Sequence, residues 1–225
     1  MTRAPDWGLI EAGGGRYKKA SRRKGILLGQ QAKRTRLSPE ERRGQLLQAA
    51  VELFAEKGIG EAKHADIAKR TGVSVATTFV YFPTREALIE SVLEEVAERN
   101  LAIFDEVQAE GLSVPALLAA LAAHATSRAE EERAYTQVWL NWSTNFAPAI
   151  RERFLRHQTI ILDKLTGILN SATDGRKRED RDDARILLAA SQMLTVMKLD
   201  GVDKVRRDRF TEHTIDVVLA YRGHK

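Results

Sequence analysis

The chain predicts an all-α protein, and three observations carry that expectation. Four of its five prolines (39, 83, 115 and 148) stand just before or just inside a helix start, where a missing N–H costs nothing. Apolar residues recur at three- and four-residue spacings, with no alternating strand pattern and no internal repeat. Ser38-Pro39-Glu40-Glu41 has the form of a capping box with proline at the first helical position. With 225 residues, one or two domains and an ample core are expected.

The helix opened by Ser38 buries Leu46, Leu47, Ala50, Val51 and Phe54, and Gly58 closes it. A short helix over 65–70 breaks at Thr71-Gly72, and Ser74 caps the next one through Tyr81. Pro83-Thr84-Arg85-Glu86 starts a long helix reaching 109, with Leu88, Val92 and Val96 on its buried face. Further helices are predicted over 113–128, 130–145, 148–170, 182–199 and 203–221. The polar run 171–183 reads as a mobile loop.

Composition excludes several classes. With no cysteine there is no disulfide, thiolate metal site or cysteine nucleophile. The apolar stretch Val114 to Ala123 is half the ~20 residues a spanning helix needs, so no membrane segment is expected. No signal peptide is legible, which makes the cytoplasm, and the nucleoid within it, the expected location. HExxH, GxSxG, a Walker lysine and a complete GxGxxG are all missing, and the five histidines are too scattered for zinc. Glu130-Glu131-Glu132 reads as a solvated helix start. No enzyme activity, cofactor or metal is expected.

The net charge of +5 is unevenly placed. Residues 1–37 carry ten Lys or Arg against two acids, whereas 84–225 carry twenty against twenty-three. Such a basic arm suits a polyanion through counterion release. For residues 1–30 the plainer reading is a solvated, disordered tail with a glycine run at 13–15, or a misassigned start.

The segment His64–Phe82 has the ingredients of a helix-turn-helix: small Ala68, Gly72 in the turn, and Ile67 and Val73 placed to pack across the corner. A second helix held rigidly at an angle can enter a major groove. Taken alone, the spacing equally fits a structural helix corner. Over residues 38–93 a longer pattern runs LFAEKGIG, ADIAKRTGVS, a Tyr-Phe pair and a capped long helix. This stretch resembles the N-terminal DNA-binding domain of the TetR family. HADIA, SVAT and YFPTRE are similar to its LuxR/HapR/SmcR branch of quorum-sensing master regulators, and the likeness continues weakly around Val138–Ser143. Two departures stand out: Thr78-Phe79 where most TetR-type helices have Leu-Tyr, and Val80 where the branch has Asn.

The resemblance implies a TetR-like fold, a three-helix helix-turn-helix domain over 38–83 followed by a larger helical ligand-binding and dimerisation bundle over 84–225. It implies a homodimer bound to double-stranded DNA. On the recognition helix the residues offer Ser74, Val75, Ala76, Thr77, Val80 and Tyr81 as the exposed face, with Phe79 and Phe82 in the core. Ser74, Val75 and Ala76 would read the groove; Thr77 and Tyr81 would reach phosphates, as would Lys63 and His64 near a helix N-terminus. His64 could instead be a structural cap. Lys33, Arg34 and Arg36 match the arm that reaches the minor groove in the LuxR-like branch.

Trp139 and Trp142 fall three apart beside Ser143, where the resemblance places an apolar effector pocket; Phe104, Phe146 and Met193 are candidate neighbours. A plain core role for both tryptophans fits as well. The dimer faces expected on the last two helices are Ala184, Leu187, Leu188, Ser191 and Thr195, then Ile215, Val218, Leu219 and Arg222. The function expected is a homodimeric regulator on a near-palindromic operator, with a small apolar effector. A ligand-independent architectural DNA binder of the same fold is the alternative.

Overall fold

The computed structural model describes residues 37–108, 110–171 and 181–223. The expectations for residues 1–36, Ala109 and 172–180 lie outside these described residues. Helix α1 (Pro39–Lys57) begins with the capping box: the Ser38 hydroxyl accepts from the Glu41 N–H at 3.1 Å, and the Glu41 carboxylate accepts from the Ser38 N–H at 2.7 Å. Gly58 ends it, its N–H donating to the Phe54 carbonyl. There follow α2 (His64–Thr71), α3 (Val75–Tyr81), α4 (Arg85–Glu106), α5 (Val114–Glu131), α6 (Arg133–Ser143), α7 (Pro148–Ser171), α8 (Asp182–Leu199) and α9 (Lys204–Gly223). The described residues contain no strand.

α1 packs against α2, α4 and α6, so it belongs at once to the helix-turn-helix unit and to the larger bundle. Its Leu46, Ala50, Val51 and Phe54 are wholly buried, each worth up to about 1.5–3 kcal/mol for the larger side chains. α5 lies against α8 and α9, and α8 against α7. One continuous apolar core runs from Leu46 to Val218.

The junction of α5 and α6 falls at Glu132, not between Arg128 and Glu130 as the sequence suggested. Glu132 is a half-buried bridge there. Its carboxylate accepts from Arg99 at 2.8 Å and from Arg128 at 2.9 Å. The acidic run is therefore the end of α5 and a turn, not a solvated helix start.

The expected dimer faces require correction. Ala184, Leu187, Leu188, Thr195, Ile215, Val218 and Arg222 are buried within the chain, and Ser191 and Leu219 are half-buried. Arg222 is an internal tie: it donates to Asp183 at 2.8 Å and to Asn170 at 2.6 Å, joining the end of α9 to α8 and α7. The outward stripe of α8 carries Ile186 and Met193, and that of α9 carries Val217 and Tyr221. Both faces of each helix hold apolar side chains, so periodicity alone could not tell inside from outside.

His157 is buried among Trp139, Trp142 and Phe154, stacked on Trp142 at 5.6 Å and edge-on to Trp139 at 5.5 Å. Its Nε2 has no partner, and burial pushes its pKa down to about 4. Between pH 6.5 and 4 the unfolded chain binds a proton on this residue that the folded chain refuses. Stability should be fully present above pH 6.5 and fall by up to about 3 kcal/mol as pH drops to 4. Urea unfolding at stepped pH should show a shallower acid loss in His157→Phe than in the parent chain.

Candidate nucleic-acid interface and internal cavity

A turn with a left-handed residue holds α2 and α3 at an angle. Gly72, at φ +68°, supplies that conformation without steric cost, and the Val73 N–H donates to the Ala68 carbonyl at 3.1 Å. Ile67 and Ala68 are buried and Val73 is half-buried against the core. α3 is capped by Ser74, whose hydroxyl accepts from the Thr77 N–H at 3.1 Å. Thr78 is wholly buried and donates to the Val75 carbonyl. Phe82 closes the far end as a fully buried plug, with the Arg43 guanidinium 5.7 Å from its ring centre.

His64 is buried, and its Nε2–H donates to the Phe82 carbonyl at 2.7 Å. That bond spans the whole unit, from the start of α2 to the end of α3. It makes His64 a structural residue and removes it from the phosphate contacts expected of it. The N-terminus of α2 is already served by Asp66, which accepts from the Lys63 N–H at 2.9 Å and pairs with Lys57 at 2.9 Å. Those bonds hold the Asp66 carboxyl below its ordinary pKa. Lys63 remains exposed.

The outer face of α3 carries Ser74, Val75, Ala76, Phe79 and Val80. Val80 is 76% exposed. Thr77 and Tyr81 are half-buried, Tyr81 leaning on the core. Phe82 lies in the core as expected, but Phe79 does not: it is 47% exposed and stacks on His64 at 4.0 Å with ring planes 6° apart. An aromatic residue one turn from a buried Phe looks internal in a linear reading. Only the placement of His64 shows that its ring lies flat on the outside. Lys33, Arg34 and Arg36 lie outside the described residues.

The loop before α2 grips α4. Arg85 donates through Nε to the Gly60 carbonyl at 3.0 Å, and Gly60, at φ +79°, leaves a β-carbon position only 3.1 Å from Ile89. Further along, α4 walls a partly open cavity of about 150 Å³. Val96, Asn100, Ile103 and Phe104 line one side; Leu118, Leu121, Tyr135, Trp139 and Ile161 line others. Leu187, Leu188, Ser191, Thr195 and Ile215, expected at a dimer face, line it as well. Of the expected pocket residues only Phe104 and Trp139 belong to it. Trp142 is buried elsewhere, its Nε1 donating to the Ile150 carbonyl at 3.1 Å, and Ser143 donates to the Leu140 carbonyl. Phe146 is 75% exposed beneath Arg151, and Met193 is on the outer face of α8. The wider lining was missed because it comes from six helices far apart in sequence.

The cavity's charged groups neutralise one another. Arg99 is shared by Glu95 and Glu132, and Arg128 by Glu106 and Glu132. Arg99 also stacks over Tyr135 at 4.0 Å. The Tyr135 hydroxyl leaves the cavity wall and donates to Gln48 on α1 at 2.6 Å. No cluster of potential metal ligands occurs among the described residues.

Residues 46–92 match the family model for bacterial regulatory proteins of the tetR family. The HTH-type transcriptional regulator LuxR of Vibrio harveyi is 56% identical over 66 residues, 29% of this chain and 32% of LuxR. The match thus spans about a third of that relative's own length. A TetR-like transcriptional regulator from Rhodococcus superposes over 84% of this chain and 98% of its own, with TM-score 0.68 and 20% identity. FadR of Bacillus subtilis, solved with stearoyl-CoA, covers 78% and 97% at TM-score 0.63 and 19% identity. The chain therefore has the all-α TetR fold, and its residues 46–92 match the tetR-family model.

Proposed function

We propose that the chain is a sequence-specific DNA-binding transcription regulator that acts as a homodimer and answers to a small apolar effector. One observation carries the DNA-binding part: a rigidly held helix projects Val75, Ala76, Phe79 and Val80 from the stretch that matches the tetR-family model. The reading divides the chain into a basic arm (1–37), a reading head (38–83) and an effector and dimerisation bundle (84–225). The family-model match lies at residues 46–92 and the likeness to LuxR covers only 29% of the chain, so they support DNA binding and lend nothing to a quorum-sensing role. In this reading Ser74, Val75, Ala76, Phe79 and Val80 face base edges. Lys63, Thr77 and Tyr81, with Lys33, Arg34 and Arg36 of the arm, serve the backbone and the adjacent minor groove.

Selection of duplexes from a random library at fixed ionic strength tests the whole reading. It should return a near-palindrome with half-sites one helical turn or a multiple apart. A chain lacking residues 1–37 should bind that duplex more weakly, and its slope of log affinity against log salt should shrink by about 2–3.

The dimer is proposed to form through the outward stripes of α8 and α9, where Met193 and Val217 are each about half exposed. Self-pairing of two helices per subunit gives a four-helix interface. Met193→Glu combined with Val217→Glu should sediment as a monomer and lose at least tenfold in affinity for the palindrome, with the melting temperature little changed.

The effector reading rests on the cavity. At about 150 Å³ it matches the size of engineered cavities that hold benzene, so the occupant has roughly six to ten heavy atoms. Both lining arginines are already paired with glutamates, so neither is free for an anionic head group, and a buried unpaired charge is costly. A long acyl thioester such as the FadR ligand exceeds this volume. The cavity also favours a switched regulator over an architectural binder with a filled core.

An occupant shifts the equilibrium only if it binds one arrangement of the reading heads better than the other. Two physical links lead there: α4, which runs from the Arg85–Gly60 bond to the cavity wall, and the Tyr135–Gln48 bond from that wall to α1. Toluene should raise the melting temperature, and benzoate should not. Tyr135→Phe should keep the toluene shift yet lose most of the effect of toluene on DNA affinity.

A further inference from the structure

The geometry points to a reading head that selects its site through the 5-methyl groups of thymine, with Phe79 as a specificity-determining residue. This inference rests on the DNA-binding reading above and says which base chemistry that reading uses. From Thr71 to Thr84 the chain has no Lys, Arg, Asn, Gln, Asp or Glu. Bidentate recognition of guanine or adenine needs one of those long donor-bearing side chains. The hydroxyls of α3 do not replace them. Those of Ser74 and Thr77 bond each other at 2.8 Å, Thr78 is buried, and Tyr81 leans on the core.

What α3 offers outward is carbon. Val75 and Phe79 lie four apart on one stripe, Ala76 and Val80 on the next, and Val80 is more exposed than Val75 or Phe79. The only base edge in the major groove that presents a methyl group is that of thymine, or of cytosine carrying a 5-methyl group. Phe79 is stiffened for the task. Its ring is stacked on His64, and His64 is anchored by its bond to the Phe82 carbonyl. A ring held on one side by a fixed imidazole loses little freedom when a methyl group settles on the other.

Charge selects nucleic acid as the occupant of this face. No acidic residue falls between Asp66 and Glu86, while Lys63, just before α2, and Lys69 on it are exposed. A polyanion can approach without repulsion from the helix that would read it.

The probe is the best duplex recovered from a random library, compared with the same duplex carrying deoxyuridine for thymidine, one half-site position at a time. Each contacted methyl should contribute about fourfold in affinity, and a symmetric pair about fifteenfold. Deoxyuridine outside the half-sites should change nothing. Methylation of a cytosine placed at a contacted position should restore part of the loss. Phe79→Ala should bind the parent duplex more weakly and no longer distinguish thymidine from deoxyuridine at its position. Val80→Ser, at an exposed site and safe for folding, should do the same at a neighbouring position. A recovered site whose affinity is indifferent to every deoxyuridine substitution overturns the methyl inference and leaves DNA binding standing. Failure to enrich any duplex overturns the DNA-binding reading itself.

Discussion

A helix of seven residues is too short to persist alone in water, where about 12–15 residues are marginal. Helix α3 therefore exists only because its surroundings hold it, and the rest of the helix-turn-helix unit can be understood as that support. Gly72 sets the entry angle, Ser74 satisfies the first turn, Thr78 faces inward, and Phe82 plugs the exit. The His64–Phe82 bond then closes the unit into a frame. Because the inner face is committed to support, the outer face is free to vary. Here it has become almost wholly apolar.

The support extends beyond that unit. α1 is buried both by α2 and by α6, so the helix-turn-helix unit and the larger bundle share a helix instead of meeting at a linker. Tyr135 makes that sharing specific. Its ring lies under Arg99, part of it lines the cavity, and its hydroxyl reaches Gln48. A change in how the cavity is filled cannot move Tyr135 without altering a contact on α1. The arginine–glutamate network around Glu132 sets the break between α5 and α6, and it leaves the cavity electrically balanced. One cluster of side chains thus defines both the bend in the fold and the chemistry of what the cavity can accept.

Much of this molecule was determined by the linear order of its residues. Caps and breakers are local, so Ser38, Pro39, Gly58, Gly72, Ser74, Thr84 and Ser113 marked helix ends that the structure places within a few residues. The pattern from Leu46 to Val92 was distinctive enough to identify the domain. What only the tertiary structure decided was which side of each helix looks inward. Phe79 was expected inside and lies outside, because His64 arrives from α2 to stack on it. Leu187, Leu188 and Ile215 were expected outside and line a cavity, because α8 and α9 carry apolar residues on both faces and α5 covers one of them. A period of 3.6 residues shows that a helix has a face, but the choice between two apolar faces is made by neighbours that are remote in sequence.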